Sequence, residues 1–199
     1  RLSIASRPAG AGGWEIRIEG GNIMPLQPAG LTGGTRVEVR DLFFATPARL
    51  KFLKAERTEM DHAVKAVQRL AMAHPDIAFS IGDGERTRFE CTVGGELARP
   101  EDARLRRLAA VMGRVFADNA LAINAERDGI RLTGYAGLPT LNRNTAKNQY
   151  LFVNSRPVID RLVTGAVRGA YQDFLARGRQ PLVALFVDID PKLVDVNVH

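Results

Sequence analysis

The sequence predicts a mixed α+β fold, and two patterns carry that prediction. In the second half, the apolar runs 150–153 and 182–189 flank a stretch with helical spacing of apolar residues. Two buried strands joined through a helix form a βαβ unit, whose strands lie parallel in one sheet. Near the start of the chain, short runs alternate apolar and polar side chains between Gly- and Pro-rich turns, which is typical of antiparallel strands.

The first half of the chain is expected to hold three strands, a short helix, a long helix and a hairpin. The three strands are residues 2–6, Trp14–Glu19 and 35–39. Thr46 followed by Pro47 predicts the N-cap and the first position of the short helix. The other elements of this half are the long helix 58–74 and the hairpin strands 77–81 and 87–92.

The second half is predicted to begin after a boundary in the Gly-rich residues 94–100. A helix over residues 102–116 comes first, and three arginines are placed on its outer side: Arg104, Arg107 and Arg114. Two hairpin strands follow, at residues 121–125 and 130–136. Residues 141–149 are rich in Asn and are expected to form an exposed, mobile loop.

The helix between the two apolar runs carries the candidate binding residues. Its expected inward positions are Leu162, Val163, Ala166, Val167, Ala170, Tyr171 and Phe174, and Gly178 is expected to end it. Arg161 and Arg168 are seven residues apart and therefore project from one side, while Arg156 lies in the loop before the helix. Guanidinium groups near a helix start favour phosphate binding. The alternative is that they are only the solvated face of an amphipathic helix.

Composition and charge indicate a protein with an anionic partner for its second half. The 199 residues are enough for one large or two modest domains, with 45% hydrophobic and 25% charged residues. The formal charge is +6. Residues 1–98 hold 13 Lys and Arg against 12 Asp and Glu, whereas residues 99–199 hold 15 against 10. The basic excess lies in the second half, where it favours an anion.

Several classes of site are absent from the sequence. Cys91 is the single cysteine and the three histidines are scattered, so no disulfide and no metal site are expected, and the reducing cytoplasm is the expected location. No apolar run is long enough to span a bilayer, and nothing at Arg1 resembles a signal peptide. The chain lacks an initiator Met and is interpreted as a piece of a longer protein. No phosphate loop, nucleophile elbow or zinc motif occurs, and no catalytic residue is predicted.

Two long motifs point to one family. Residues 34–53 read Gly-Thr-Arg-Val-Glu-Val-Arg-Asp-Leu-Phe-Phe-Ala-Thr-Pro-Ala-Arg-Leu-Lys-Phe-Leu, and residues 152–158 read Phe-Val-Asn-Ser-Arg-Pro-Val. Residues 194–199 then read Val-Asp-Val-Asn-Val-His. In this order and spacing, the motifs resemble those of the MutL family of DNA mismatch repair proteins, and the resemblance covers essentially the whole chain.

The resemblance implies a fold and a function. Residues 1–98 would be the C-terminal part of a gyrase/chaperone/kinase/MutL-type ATPase sandwich. Residues 99–199 would be a transducer-like second domain, a βαβ domain similar to domain 2 of ribosomal small-subunit protein five, with a DNA-binding helix. The intact parent would be an ATP-binding, DNA-binding homodimer that couples mismatch recognition by MutS to a downstream endonuclease and helicase. DNA would be bound through its phosphate backbone, without sequence specificity.

The resemblance also assigns site residues. Gly34 and Thr35 match the last nucleotide-pocket motif of the superfamily. Arg161 matches a basic helix position that relatives use to bind DNA, and Arg156 matches the Arg of an Asn-Gly-Arg loop. Arg168 joins them through helix geometry alone. Asn197 and His199 match the start of a Val-Asn-Val-His-Pro-x-Lys segment whose Lys reaches the γ-phosphate and would lie beyond His199.

Departures from the family pattern limit what this stretch is expected to do. Ala45 stands where relatives often have Asn, and Ser155 stands where they often have Gly, which adopts positive φ more readily than Ser does. The family's catalytic Glu, Mg²⁺-binding Asn, adenine-binding Asp and lid all precede the position of Arg1. ATP and Mg²⁺ are therefore expected in the intact parent, neither is expected to bind this stretch, and it is expected not to hydrolyse ATP.

Two alternatives stay open. The first is the transducer region of a related ATPase such as gyrase B, which would carry a Gln-Thr-Lys loop; that tripeptide does not occur here. The second is a structural, dimer-supporting scaffold domain with no DNA binding of its own. The sequence does not reveal whether the parent has a C-terminal endonuclease site or which DNA structure it prefers.

Overall fold

The computed structural model describes residues 1–93 and 100–194, with the backbone alone at residues 100–102. The chain divides into two compact units, Arg1–Glu59 and Met60–His199. The boundary expected within residues 94–100 falls largely outside the described residues. A division into domains 1–98 and 99–199 therefore stays a prediction.

The first unit is built on an antiparallel sheet with the order β3-β2-β1-β5, and β4 also pairs with β2. Its strands are β1 Leu2–Arg7, β2 Trp14–Glu19, β3 Asn22–Ile23, β4 Gln27–Pro28 and β5 Gly34–Val39. The three strands expected from alternation are confirmed. Leu2 lies between Ile18 on one neighbour and Val39 on the other, so apolar side chains stack across the three strands.

The short helix of this unit differs in kind from the prediction. It is a 3₁₀-helix over Pro47–Phe52 that starts at Pro47 as expected. Thr46 precedes it with ψ of 65°, and its side chain makes no capping hydrogen bond. The carbonyl of Thr46 instead accepts from the backbone N–H of Arg49 at 2.9 Å, which is the i to i+3 bond of a 3₁₀ turn.

The helices of the structure are α1 Glu56–Ala73, α2 Pro100–Met112, α3 Arg114–Asp118 and α4 Arg161–Ala170. The long helix α1 is confirmed, but it begins at Glu56, two residues before the start predicted at residue 58. The single helix expected over residues 102–116 is divided at Gly113, whose φ is +92°. That left-handed conformation ends α2 and is one that glycine adopts without strain.

Within residues 60–93 and 100–194, the strands of the second unit form three sheets. They are β6 Phe79–Gly82, β7 Thr87–Cys91, β8 Ala120–Arg127, β9 Ile130–Gly137, β10 Asn142–Arg143, β11 Gln149–Val153, β12 Arg156–Val158, β13 Gln180–Pro181 and β14 Val183–Asp188. The strands β6 and β7 form the expected hairpin, and β8 and β9 form the second one. The short strands β10 and β13 pair with each other.

The main sheet of this unit has the order β12-β11-β14-β9-β8. The strands β11 and β14 are parallel neighbours, with Leu151 opposite Leu185, and α4 connects them in sequence. The predicted βαβ unit is therefore confirmed. The other pairs in the sheet are antiparallel.

The core of the second unit lies against this sheet. Its fully buried side chains include Phe116, Phe152, Leu108 and Leu182. The rings of Phe152 and Phe186 stack with centroids 4.6 Å apart. Gly134 on β9 allows the close approach of β14, because a Cβ at this position would lie 2.1 Å from the carbonyl oxygen of Ala184. The absent side chain is what lets the two strands pair here.

Arg107 does not face solvent, and its predicted placement on the outer side of the helix is wrong. It is only 3% exposed. Its guanidinium donates to the sulfur of Cys91 and to three backbone carbonyls: Pro75, Ile77 and Thr92. The long side chain reaches from α2 to the β6–β7 hairpin and ties the two elements together.

Candidate nucleic-acid interface

The turn between β11 and β12 replaces the loop that was predicted before the helix. Asn154 and Ser155 have φ values of 48° and 63°, so both are in the left-handed region. Ser155 thus adopts a positive φ, the conformation that Gly adopts more readily than Ser does. The two-residue turn joins an antiparallel pair, in which Val153 lies opposite Arg156. Arg156 is therefore on strand β12 and not in a loop.

The Asn154 side chain fixes this turn against the end of β14. Its Nδ2 donates to the carbonyl of Ile189 at 2.9 Å, and its Oδ1 accepts from the N–H of Ile189 at 3.0 Å. The amide thus makes both hydrogen bonds that a neighbouring strand would make. This bonding holds the chain that carries Arg156 at a defined place.

Helix α4 begins with a cap that the sequence reasoning did not identify. Asp160 is the N-cap residue, and its carboxylate accepts from the backbone N–H of Val163 at 2.8 Å. The Asp160 carboxylate therefore occupies the helix start, where an anion would otherwise be attracted. Any attraction for phosphate at this end of α4 therefore rests on the arginines rather than on the helix N-terminus. An Asp directly before an apolar helical pattern was the available signal.

The apolar face of α4 is narrower than predicted. Val167 is buried and packs with Leu151 and Val183, and Val163 and Tyr171 lie against the same cluster. The expected inward positions Leu162 and Phe174 are instead 82% and 68% exposed, so their prediction is wrong. The helix ends at Ala170, well before Gly178.

Tyr171 anchors the end of α4. Its hydroxyl donates to the carbonyl of Gly137 at 2.6 Å. Partial burial raises the pKa of the Tyr171 phenol above its usual value of 10.0. The phenol therefore stays protonated and able to donate at neutral pH.

The three predicted DNA-binding arginines are all exposed: Arg156, Arg161 and Arg168. Among the described residues, none of the three forms an ion pair within 4.0 Å or a hydrogen bond from its side chain. Arg161 opens α4 and Arg168 lies in its last turn. Seven residues separate them, which is about 10 Å along a helix. Their charges are thus open to an external anion.

Gly34 and Thr35 lie in the first unit, at the start of β5. Gly34 has φ of +78°, and within the described part of the chain nothing lies within 4 Å of the position a Cβ would take. The Oγ1 of Thr35 is 2.8 Å from the Oγ of Ser6, across the sheet. An accessible backbone at a glycine suits the close approach of a ligand. Asn197 and His199, which the resemblance also placed near the nucleotide, lie outside the described residues.

The described residues form no metal site. Across residues 1–93 and 100–194, no three or more His, Cys, Asp or Glu side chains come together to hold an ion. In the same ranges, no helix is both long and apolar enough to cross a membrane.

Comparison with known proteins agrees with the fold. The family model described as "DNA mismatch repair protein, C-terminal domain" matches residues 108–199. The chain is 60% identical over 200 residues to the DNA mismatch repair protein MutL of Paramagnetospirillum magneticum. The alignment covers 100% of this chain and 33% of that protein. The chain spans about a third of the length of the curated relatives it matches.

Solved structures give the same result. The Aquifex aeolicus MutL ATPase domain complexed with ADP has a TM-score of 0.71 at 27% identity, over 96% of this chain and 68% of that chain. The B-subunit of DNA gyrase from Myxococcus xanthus has a TM-score of 0.52 at 14% identity, over 96% of this chain and 57% of that one, and shows the fold alone.

These similarities define the class of protein. The chain has the fold of the gyrase- and MutL-type ATPases, and it comprises part of the ATPase sandwich and a further α+β domain after it. Within that class the motifs, the family model and the relatives agree. The chain belongs to the MutL family of DNA mismatch repair proteins.

Proposed function

We propose that this chain is the part of a DNA mismatch repair protein that contacts the DNA phosphate backbone, through Arg156, Arg161 and Arg168. The observation that carries the proposal is that all three guanidinium groups are exposed and lack a carboxylate partner among the described residues. Surface arginines without counterions are suited to phosphate, because the planar guanidinium offers a fork of N–H donors. Such contacts carry no sequence information, so binding would be non-specific.

The rest of the molecule supports a positioned contact rather than a loose one. Arg156 lies on a strand whose turn is fixed by Asn154, and Arg161 follows the capped start of α4. The second half of the chain also has the basic excess, with 15 Lys and Arg against 10 Asp and Glu in residues 99–199. Both features favour an extended anion over a small one.

We further propose that the intact parent binds ATP and that Gly34 and Thr35 line one side of the nucleotide. The relative from Aquifex aeolicus was solved with ADP, which supports a nucleotide site in the family. Bound nucleotide would supply the binding energy that closes a dimer of the parent. Gly34 would contribute accessible backbone, and the Thr35 hydroxyl would keep further hydrogen-bonding capacity for a ligand beside its bond to Ser6.

The proposal includes the role of the whole parent. It would be a cytoplasmic homodimer that responds to MutS and directs a downstream endonuclease and helicase, with Mg²⁺ bound by residues outside the described ranges. Residues 1–98 would belong to its ATPase domain and residues 99–199 to its transducer-like domain. Membership of the MutL family supports this role.

The test is the binding of the 199-residue chain to a fluorescent DNA duplex. Arg161→Glu should weaken binding about tenfold at about 50 mM NaCl and lower the slope of log affinity against log salt by about one. The loss should be equal for duplexes of different sequence. Arg127→Glu is the matched control, because its side chain is 91% exposed and sits on the β8–β9 hairpin.

Two results would contradict the proposal. Equal affinities for Arg161→Glu and Arg127→Glu would show that the helix arginines are not the contact. An absence of any binding by the wild type at about 50 mM NaCl, where phosphate contacts are strongest, would favour the scaffold alternative.

A further inference from the structure

Two neighbouring loops of the second unit form another cationic surface, away from the start of α4. Residues 141–149 and 176–181 are joined by the short strands β10 and β13, with Arg143 opposite Gln180. We call this surface the loop patch and define it by its four cations: Arg143, Lys147, Arg177 and Arg179. All four are exposed.

The loop patch has no negative charge of its own. Neither residues 141–149 nor residues 176–181 contain an Asp or a Glu. Lys147 and Arg177 make no ion pair and no side-chain hydrogen bond among the described residues. No carboxylate of the described residues lies within 4.0 Å of either charge, so both are open to an external anion.

The other exposed residues of the two loops decide which kind of anion fits. They are amide, hydroxyl or small residues: Asn144, Thr145, Ala146, Ala176 and Gly178. The loops expose no large apolar or aromatic side chain, and such side chains are the usual anchors of protein interfaces. Arginine, lysine, asparagine and threonine are the side chains that contact phosphate oxygens in protein–DNA complexes.

Side-chain hydrogen bonds also fix the structure of the loop patch. Arg179 donates through Nε to Asn142 Oδ1 and through Nη1 to Asn144 Oδ1. Asn142 in turn donates to the carbonyl of Pro139 at 2.7 Å. On the neighbouring side, Gln149 Nε2 donates to Gln180 Oε1 at 3.3 Å. These bonds hold the two loops in one arrangement, which reduces the entropy lost on binding.

The loop patch lies near the C-terminal end of α4. Arg168 lies in the last turn of the helix, and Tyr171 directly after it bonds to Gly137 on β9. Gly137 is four residues before Leu141, where the first loop begins, while the second loop follows α4 within six residues. The loop patch thus adjoins the end of α4 that is away from Arg161.

We propose that the loop patch is a second contact for the DNA backbone, so that the duplex follows a path from the start of α4, past Arg168, to the two loops. This inference rests on the proposed function, since it extends the same DNA site. Lys147 and Arg177 contact phosphates, while Arg179 and its two asparagine partners keep the loops in place. The contact is to phosphate and therefore adds affinity without sequence preference.

A pair of double variants of the 199-residue chain tests the inference. Lys147→Glu with Arg177→Glu should weaken duplex binding about tenfold or more at about 50 mM NaCl, and should lower the salt slope by about two. The control is Arg114→Glu with Arg127→Glu, which makes the same change in formal charge at two side chains that are each 91% exposed. The control should stay within about twofold of the wild type. Circular dichroism of each variant checks that the fold is intact.

The results separate this inference from the proposed function. If Arg161→Glu weakens binding and the loop-patch double variant behaves as the control does, the inference fails and the proposed function stands. That result would assign the loop patch to an acidic protein surface instead. If both double variants lost the same amount of affinity for the duplex, the loss would come from the change in net charge alone, and the inference would also be overturned. If the wild type binds no DNA, both proposals fail.

Discussion

Arg107 shows how much one side chain can hold together. Among the described residues, no other charged side chain is buried. The Arg107 guanidinium donates hydrogen bonds to the Cys91 sulfur and to three backbone carbonyls. Those carbonyls belong to the chain on both sides of the β6–β7 hairpin. A buried carbonyl without a donor costs about 1–3 kcal/mol. The guanidinium therefore matters mainly because its removal leaves several acceptors unsatisfied.

Arg107→Met should lower the free energy of unfolding by about 3 kcal/mol or more, because methionine fills much of the volume but donates no hydrogen bond. Urea unfolding followed by circular dichroism measures this change. Arg114→Met is the control, since the Arg114 side chain is 91% exposed, and it should change stability by less than about 0.5 kcal/mol. Similar stabilities for the two variants would show that the bonds of Arg107 contribute little.

The misplacement of Arg107 has a physical reason. Helical periodicity gives the direction in which a side chain leaves the helix, and residue 107 leaves α2 about 100° round from Leu108, towards the outer side. It does not give the acceptors that a long side chain can reach. The carbonyls of Pro75 and Ile77 lie at the end of another element, and no local pattern announces them. The buried arginine could therefore not be predicted from its own helix.

At the scale of an element, the turn of the β6–β7 hairpin depends on one carboxylate. Asp83 Oδ1 accepts from the backbone N–H groups of Glu85 and Arg86 at 3.1 and 2.9 Å, and Oδ2 lies by the Arg88 guanidinium. The Arg86 N–H bond is the largest cause that lowers the pKa of Asp83 from 3.8 to about 2, and the Arg88 bond adds to it. The ionised form therefore stabilises the turn.

This lowered pKa gives a pH dependence with a definite sign. Because the pKa of Asp83 is lower in the folded chain than in the unfolded one, its stabilisation is complete above about pH 5 and is lost as the pH falls towards 2. The difference in urea midpoint between the wild type and Asp83→Asn should therefore shrink between about pH 6 and about pH 2.5. A constant difference for Asp83→Asn would contradict the assigned cause.

The elements themselves were largely predictable, and their edges were not. The βαβ unit follows from two apolar runs and a helical pattern, because burial on both faces demands continuous apolar residues. The burial of Val167 and the exposure of Leu162 do not follow, since α4 offers more apolar positions than the sheet can cover. The division at Gly113 depends on a positive φ that the apolar pattern around it conceals.

At the scale of the whole molecule, apolar burial is unequal between the two units. The three apolar clusters of the described residues all lie between Val64 and Phe186. In the first unit only Ala5 and Leu31 are buried apolar residues, and Val37 and Val39 on β5 are each 60% exposed. Since apolar burial is the main source of folding free energy, the second unit should be the more stable one.

Two spectroscopic signals should therefore separate during unfolding. Trp14 is the single tryptophan and lies on β2, whereas the α-helices of the described residues all lie within residues 56–170. In urea, the fluorescence of Trp14 should change at a lower concentration than the circular dichroism at about 222 nm, because two-state coincidence fails when parts differ in stability. Ala5→Ser should shift the fluorescence midpoint and leave the dichroism midpoint in place. Coincident transitions in the wild type would contradict the inequality.

The candidate site was predictable in part, for reasons that differ between its residues. Arg161 and Arg168 follow from helix spacing, and the resemblance supplies Arg156, Gly34 and Thr35. The Asp160 cap changes the electrostatics of the helix start. Predicting this cap would have required knowing the residue at which α4 begins. The loop patch needed the pairing of β10 with β13, which brings together two loops that are more than 25 residues apart in the sequence.

Cys91 is the chain's single cysteine; it is buried, and its sulfur accepts a hydrogen bond from the Arg107 guanidinium at the wall of a cavity between β7 and α2. Burial and this hydrogen bond slow the reaction of the sulfur with a thiol reagent, and separation of the β6–β7 hairpin from α2 speeds it. The rate of alkylation therefore measures how often this one part of the molecule opens, and it does so without any introduced label.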